Sequence, residues 1–192
     1  MKSRFLDDFE IMAISRELTR EEWLPLFVSL KTGMRVGDVV KIRVRDLREN
    51  GVRYAAEKTG KVGFAELPRE TLQQLREQAR GGWCFPSPTN KKAHLTRQAV
   101  WYRIKRAAKR AGVSVEGVSP HALRKSFAVF MFGEKGLRAT MDALQHDRAN
   151  TTAIYAYADW LTGENARRPL CRGDLPVIAT KIAELIFEQK RG

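Results

Sequence analysis

Ser119-Pro120-His121-Ala122-Leu123-Arg124-Lys125, then an apolar segment, then His146-Asp147-Arg148-Ala149-Asn150-Thr151-Thr152-Ala153-Ile154-Tyr155-Ala156-Tyr157: this stretch holds two of the chain's 3 histidines. Pro120 suits the first position of a helix, where its missing N–H costs nothing. A helix opening there puts His121 and Arg124, three residues apart, on one face and aims them at one point. His146 follows, nine positions ahead of Tyr155. Two imidazoles and a guanidinium gathered with a phenol suit an anionic transition state at phosphorus better than a hydrophobic core. A pair of core histidines bonded to backbone carbonyls is the competing reading of His121 and His146.

Composition points to the same kind of partner. A chain of 192 residues fits one domain, or one large domain with a tail, and buries a core of real size. With 43% hydrophobic and 30% charged residues it reads as folded and soluble. Lys and Arg number 35 against 22 acids, a formal charge of +13 with a pI near 10.1. That excess selects polyanions, nucleic acid first and anionic membrane second. No apolar run approaches the roughly 18–20 residues of a membrane span, and no amino-terminal signal pattern appears. Cys84 and Cys171 have no metal-site spacing and imply no disulfide framework, so a reducing cytoplasm is the default; a single long-range bridge between them is the alternative. No internal repeat or low-complexity segment is present.

Upstream, Thr19-Arg20-Glu21-Glu22 is a capping box that opens a helix. Trp23, Leu26, Phe27 and Leu30 follow at helical spacing as its core face, and Gly33 ends it. Met34-Arg35-Val36-Gly37-Asp38 then restarts an amphipathic helix with Asp38 in its first turn; Arg35 is either a surface residue tied to Asp38 or part of the site. From Gly51 the period changes to two. Val52, Tyr54 and Ala56 lead to Glu57-Lys58-Thr59-Gly60-Lys61, and Val62, Phe64 and Leu67 follow, a β-hairpin with a Lys-flanked Gly turn. A helix over Pro68–Arg80 buries Leu72, Leu75 and Ala79 and is broken by Gly81-Gly82. Trp83-Cys84-Phe85-Pro86 reads as a short buried strand entering a polar loop, Ser87–Lys92.

Thr96 caps the next helix and Gly112 closes it. Val100, Ile104, Ala107, Ala108 and Ala111 form its apolar stripe. The other face carries Arg97, Arg103, Lys105, Arg106, Lys109 and Arg110, interleaved with Trp101 and Tyr102. No acid occurs from Lys91 to Val115. No pair within the helix neutralises that face, which favours contact with phosphate over a merely solvated surface. Lys91 and Lys92, in the preceding loop, join Arg97, Arg103, Lys105, Arg106 and Lys109 as expected DNA-binding residues. Beyond Tyr157 a polar span, Asp159–Asp174, precedes a final amphipathic helix over Pro176–Lys190, whose stripe (Val177, Ile178, Ile182, Leu185, Ile186) needs either this chain's core or a neighbouring protomer.

Taken together, Thr32-Gly33-Met34-Arg35, the hairpin's Lys58-Thr59-Gly60, His121-Ala122-Leu123-Arg124, and His146 with Tyr155 resemble the catalytic domain of the tyrosine recombinase (phage integrase) family. The resemblance covers residues 10–160, in the family's order and spacing. It implies a mainly α fold with a small antiparallel hairpin, in one catalytic domain over 1–192: a core at 10–160 and a tail at 161–192 whose helix docks on a neighbour. It implies site-specific DNA cutting and rejoining, as a recombinase or integrase of the kind mobile elements use, with Tyr155 attacking a phosphodiester to leave a 3′-phosphotyrosyl link. By the same resemblance Arg35 and Arg124 clamp the phosphate, and Lys58 protonates the leaving 5′-oxygen, with Lys61 as its fallback. His121 is the base-like partner of the tyrosine, and His146 donates a hydrogen bond.

A phenol whose ordinary pKa is about 10 needs such cationic help. No cofactor and no metal are expected, since one phosphodiester replaces another. The expected partner is double-stranded DNA, bound by a tetramer of the chain with accessory DNA-bending proteins, in the nucleoid of a bacterial, archaeal or phage-infected cytoplasm.

Tyr157 competes with Tyr155 for the nucleophile's place; the spacing to His146 and the Thr151-Thr152-Ala153-Ile154 approach favour Tyr155. Several positions depart from the family pattern. Asp38 stands where Glu is usual, Lys125 follows Arg124 where His or a small polar residue is common, and Gln145 replaces the Gly before His146. At most 18 residues precede the helix at Thr19, so the amino-terminal core-binding domain of full-size members is not expected within 1–192, and the chain is either a stand-alone minimal recombinase or a fragment. Two other functions suit the same residues: a type IB topoisomerase-like nicking and closing enzyme, and a basic DNA-binding regulator that no longer cleaves.

Overall fold

The computed structural model describes residues 3–57, 60–90 and 92–144. Their order is α1 (Asp8–Arg16), α2 (Arg20–Thr32), α3 (Val36–Val39), β1 (Gly51–Ala55), β2 (Val62–Glu66), α4 (Arg69–Gln78), α5 (Arg97–Arg110) and α6 (Pro120–Leu144), with a 3₁₀ turn at Val44–Asp46. The expected mainly α fold with one small antiparallel hairpin is what forms. The chain groups into two compact units that divide after Phe127, inside α6.

Helix starts follow their caps. Thr19 Oγ1 accepts from the Glu22 N–H at 3.3 Å, and the Glu22 carboxylate accepts from the Thr19 N–H at 3.2 Å, as the capping box requires. α1 was not anticipated, although it opens on the same device with Asp7 as cap. Asp7 Oδ1 accepts from the Glu10 N–H at 2.8 Å, and Glu10 answers at 3.3 Å. Ile11 and Ile14 anchor α1 to a core that also takes Leu26, Val28, Leu72, Leu75, Ile104 and Leu123. α2 presents Leu24 and Val28 inward as well as Leu26; Trp23 and Leu30 are only partly buried against the core.

Two expectations need correction, and the register of the hairpin decides a third point that alternation leaves open. The helix after Arg35 lasts four residues, because a run of β-branched valines (Val36, Val39, Val40) sustains helix poorly. In the hairpin, Val52 pairs with Ala65 and Arg53 with Phe64. Opposed residues share a face, so the buried Val52 brings Ala65 inward and leaves Val62 and Phe64 outside, at 61% and 49% exposure. Trp83–Pro86 forms isolated bridges (Arg43 with Trp83, Pro86 with His94) instead of a strand. Cys84 and Phe85 are nonetheless buried there, tied by the Cys84 N–H to the Ile42 carbonyl at 3.0 Å. Among the described residues no helix is long and apolar enough to cross a membrane. The span 159–174, the helix expected at 176–190 and Cys171 lie outside the described residues.

Candidate active site

Arg35 is positioned by the way α2 stops. Gly33, at φ 68°, takes the left-handed conformation that only a residue without Cβ enters cheaply. Two buried hydroxyls lock the turn: Ser29 Oγ donates to the Met34 carbonyl at 2.7 Å, and Thr32 Oγ1 donates to the Val28 carbonyl at 2.6 Å. Thr32 Oγ1 also accepts from the Met34 N–H at 3.2 Å. Arg35 follows in extended conformation as the cap residue of α3. Thr32-Gly33-Met34-Arg35 is thus a rigid corner.

Arg124 closes that corner from the other side. Pro120 opens α6 as expected, with the Ala122 N–H shared between the Ser119 carbonyl (2.9 Å) and hydroxyl (3.3 Å). One turn in, Arg124 is buried, and its guanidinium donates to the Gly33 carbonyl. Two segments 91 residues apart in sequence therefore meet through one charge-assisted hydrogen bond.

A third element is tied in by Asp38. Its buried carboxylate accepts the Glu57 N–H at 3.0 Å, which holds the end of β1 against α3. Asp38 therefore braces the hairpin, where the sequence suggested a brace for Arg35. Lys41 and Glu57 add an ion pair at 2.7 Å beside it, too solvated to contribute much. Lys41 also holds the Glu57 carboxyl below its usual range. The loop between the strands is closed by the Ala56 N–H to the Lys61 carbonyl (2.9 Å) and the Gly60 N–H to the Ala56 carbonyl (2.7 Å). Lys58 itself lies outside the described residues, as do His146, Tyr155, Tyr157 and Lys91.

Arg35, Asp38, Glu57, Arg97, His121 and Arg124 line one cleft of about 400 Å³. Of the six residues expected to be catalytic, the structure brings Arg35, His121 and Arg124 together. Arg97, expected only as a DNA contact, turns out to share the same cleft from the first turn of α5. The Thr96 cap already puts Arg97 at the start of that helix; that the helix start lies beside the site is decided by tertiary packing.

The cleft's charge shapes the His121 imidazole. Desolvation, then the cations Arg124, Lys125 and Arg35, push the His121 pKa down to about 4. The ring remains exposed to solvent, so its desolvation is only partial, but the cations act in the same direction. His121 is therefore neutral at physiological pH and able to accept a proton. Below pH 6.5 the unfolded chain binds a proton that folded His121 refuses until about pH 4, so acidification through that window destabilises the fold. An NMR titration of the His121 ring is expected to give a midpoint near 4 in the free protein and a higher one in saturating inorganic phosphate, whose charge favours the imidazolium. A free midpoint at the ordinary His value would mean that the ring does not sense Arg35 and Arg124.

Tyr54 was read only as a strand residue. It is half-buried on β1, and its phenol pKa is raised by burial and by Asp38, while Arg124 and Arg35 pull it down. Among the described residues it is a phenol within electrostatic reach of the cleft. His94, by contrast, is structural: its Nδ1 sits 2.7 Å from the Leu95 carbonyl, and its ring meets Trp83 edge-on at 5.0 Å. Burial pushes the Cys84 thiol up to about 12, with Asp46 adding to the shift, which leaves it inert as a nucleophile.

The basic face of α5 is divided. Arg97, Arg106 and Lys109 are exposed, as is Lys92 in the preceding loop. Arg103 instead pairs with Glu22 of α2 at 3.6 Å, and Arg110 with Glu17 at 2.9 Å. Lys105 donates to the Val115 carbonyl. The acids missing from the helix are supplied by tertiary neighbours.

The sequence matches the profile of the phage integrase family over residues 6–160. Among curated proteins, it is 34% identical over 136 residues to the tyrosine recombinase XerD of Rhizobium meliloti (strain 1021), covering 66% of this chain and 43% of that protein. The chain thus spans less than half the length of that relative. Among solved structures, a lambda integrase (residues 75–356) dimer bound to a COC′ core site superposes with a TM-score of 0.73 at 20% identity, over 89% of this chain and 63% of that one. A lambda integrase tetramer bound to a Holliday junction gives a TM-score of 0.70 at 22% identity, over 81% of this chain and 48% of the other.

Proposed function

Because this chain belongs to the phage integrase family, we propose that it cuts and rejoins duplex DNA at specific sites through a covalent tyrosyl–phosphate link. The observation that carries the proposal is the cleft in which Arg35, His121 and Arg124, from two distant parts of the sequence, face one volume sized for a phosphate and its substituents. Non-bridging oxygens of a phosphodiester gain negative charge as a nucleophile adds, and two guanidiniums stabilise that charge more in the transition state than in the ground state.

In this reading Tyr155 attacks the phosphorus and His121, neutral in the free protein, takes the phenolic proton. The phosphorus–5′-oxygen bond breaks as the phosphotyrosyl bond forms, and Lys58 gives the leaving oxygen its proton. His146 donates a hydrogen bond to the phosphate. One phosphodiester is exchanged for another of similar energy, so the 5′-hydroxyl of a second strand can reverse the step and complete an exchange. The lambda integrase dimer on its core site and tetramer on a Holliday junction support a reaction run by several copies on DNA. The tail over 161–192, with its expected helix, is the candidate contact between them. A nucleoid setting in the cytoplasm and DNA-bending accessory proteins complete the proposal.

The test is covalent trapping. A duplex recovered by enrichment from a random-sequence library, nicked beside the cleavage point, should yield a denaturation-resistant protein–DNA adduct. No adduct on any enriched site would leave a DNA-binding regulator. Relaxation of supercoiled DNA by the monomer, with no preferred site, would identify a nicking and closing enzyme.

The division of the α5 face predicts unequal roles in binding. Arg106→Gln and Lys109→Gln should each weaken duplex binding and lower the slope of log affinity against log salt by about 1. Arg103→Gln should leave that slope unchanged and lower stability by at most about 1 kcal/mol, the worth of its pair with Glu22. Salt-series anisotropy on a random-sequence duplex reads the first effect and urea denaturation the second. Equal slopes for all three variants would refute the division.

A further inference from the structure

Beside the phosphate cleft lies a second cavity of about 350 Å³ that shares Val36, Arg97, Pro120 and His121 with it. Its additional walls are Gln98 and Trp101 of α5 and Ser119 at the start of α6. The two cavities differ in chemistry. Arg35 and Arg124 line only the first, together with the carboxylates of Asp38 and Glu57; Val36, Pro120, His121 and Arg97 are common to both, and only the second adds Trp101, which extends the apolar wall, and the Gln98 amide. Trp101 is 40% exposed, unusual for the largest side chain, and the Lys105 ammonium stands 5.5 Å from its ring centroid. Nothing assigned so far uses this wall.

An apolar surface adjoining an anion cleft, with a cation common to both, matches the repeat of a nucleic-acid backbone: phosphate, sugar, phosphate. We propose that the second cavity is the subsite for the nucleotide adjoining the phosphate held by Arg35 and Arg124. Trp101, Val36 and Pro120 cover the apolar face of its deoxyribose, while Arg97 reaches from one phosphate toward the next and Gln98 offers its amide. The subsite rests on the DNA-cleaving reading of the neighbouring cleft. It makes Trp101 and Gln98 positioning residues: they set where along the strand the reacting phosphate comes to rest.

Small probes test this without a cognate site. Methyl phosphate fills only the first cavity, whereas thymidine 3′- and 5′-monophosphates carry the same phosphate monoester plus a sugar and base. Burying roughly 50 Å² of sugar surface corresponds to about a five- to tenfold gain in affinity. One of the two nucleotides is therefore expected to bind about that much tighter than methyl phosphate. In NMR titrations both classes of probe should shift the His121 ring, and only the nucleotide should shift the Trp101 indole N–H. Trp101→Ala and, as a milder exposed-site change, Gln98→Ala should shrink the nucleotide's advantage toward unity with methyl phosphate affinity unchanged; Trp101→Phe should retain most of it. If His121 responds to every probe but neither nucleotide gains over methyl phosphate, or the gain survives Trp101→Ala, the subsite is refuted and the phosphate cleft stands. If His121 responds to none, the cleft reading falls and the subsite with it.

Discussion

Replacing Arg124 by Lys is expected to reduce covalent adduct formation by about a thousandfold while duplex affinity changes by no more than a few-fold. The substitution keeps the charge, so the loss must come from geometry. Arg124 is buried, and its guanidinium donates to the Gly33 carbonyl at the corner that positions Arg35. A planar fork presents several N–H groups in one fixed geometry, whereas an ammonium is a point charge on a flexible stem. Losing one well-placed donor to a developing anion costs about 10²–10³ in rate. Arg124→Ala should match that loss or exceed it, and should also destabilise the fold by about 1–3 kcal/mol, because the Gly33 carbonyl is left without its donor. The measurement is single-turnover adduct yield on nicked duplex, beside anisotropy for binding and urea denaturation for stability. A binding loss equal to the cleavage loss would show that Arg124 acts in the ground state, and the transition-state role assigned to it would be wrong.

Tyr155→Phe is expected to abolish the adduct altogether, since no other atom replaces the nucleophilic oxygen. The chain has 4 tyrosines, which makes the comparison tractable. Tyr157→Phe should keep the adduct, as should Tyr54→Phe. Tyr54 is the more instructive control: its phenol lies within reach of the charges of Arg35 and Arg124, yet burial holds it neutral and therefore poorly nucleophilic. Tyr102, exposed on α5, should be indifferent. Peptide mapping of the trapped complex identifies the linked residue independently. An adduct that persists in Tyr155→Phe and maps to Tyr54 or Tyr157 would overturn the assignment of the nucleophile.

What was legible beforehand had local causes. Thr19 with Glu22, Gly33, Thr96 and Pro120 each satisfy or end a helix through bonds within a few residues, so their meaning is contained in the string. The three-residue spacing of His121 and Arg124 becomes adjacency as soon as a helix forms. α1 was equally local, with Asp7 and Glu10 in the same box, and was simply passed over. The hairpin lies where period two puts it, but alternation alone does not say which face of its second strand is buried. Register with the buried Val52 turns the small Ala65 inward and leaves apolar Val62 and Phe64 outside.

The sequence by itself determined the capped helices, the hairpin and the excess positive charge, and it named the residues proposed to hold a phosphate. Only the tertiary structure decided which of them meet. It bonded Arg124 to the turn before Arg35, hung the hairpin on Asp38, drew Arg97 into the cleft, and paired Arg103 and Arg110 with acids of other segments. The reason is range. A cap or a turn is satisfied by groups a few residues away, whereas a buried guanidinium or carboxylate must find its partner wherever packing of the core delivers one, here 91 residues off for Arg124 and 19 for Asp38.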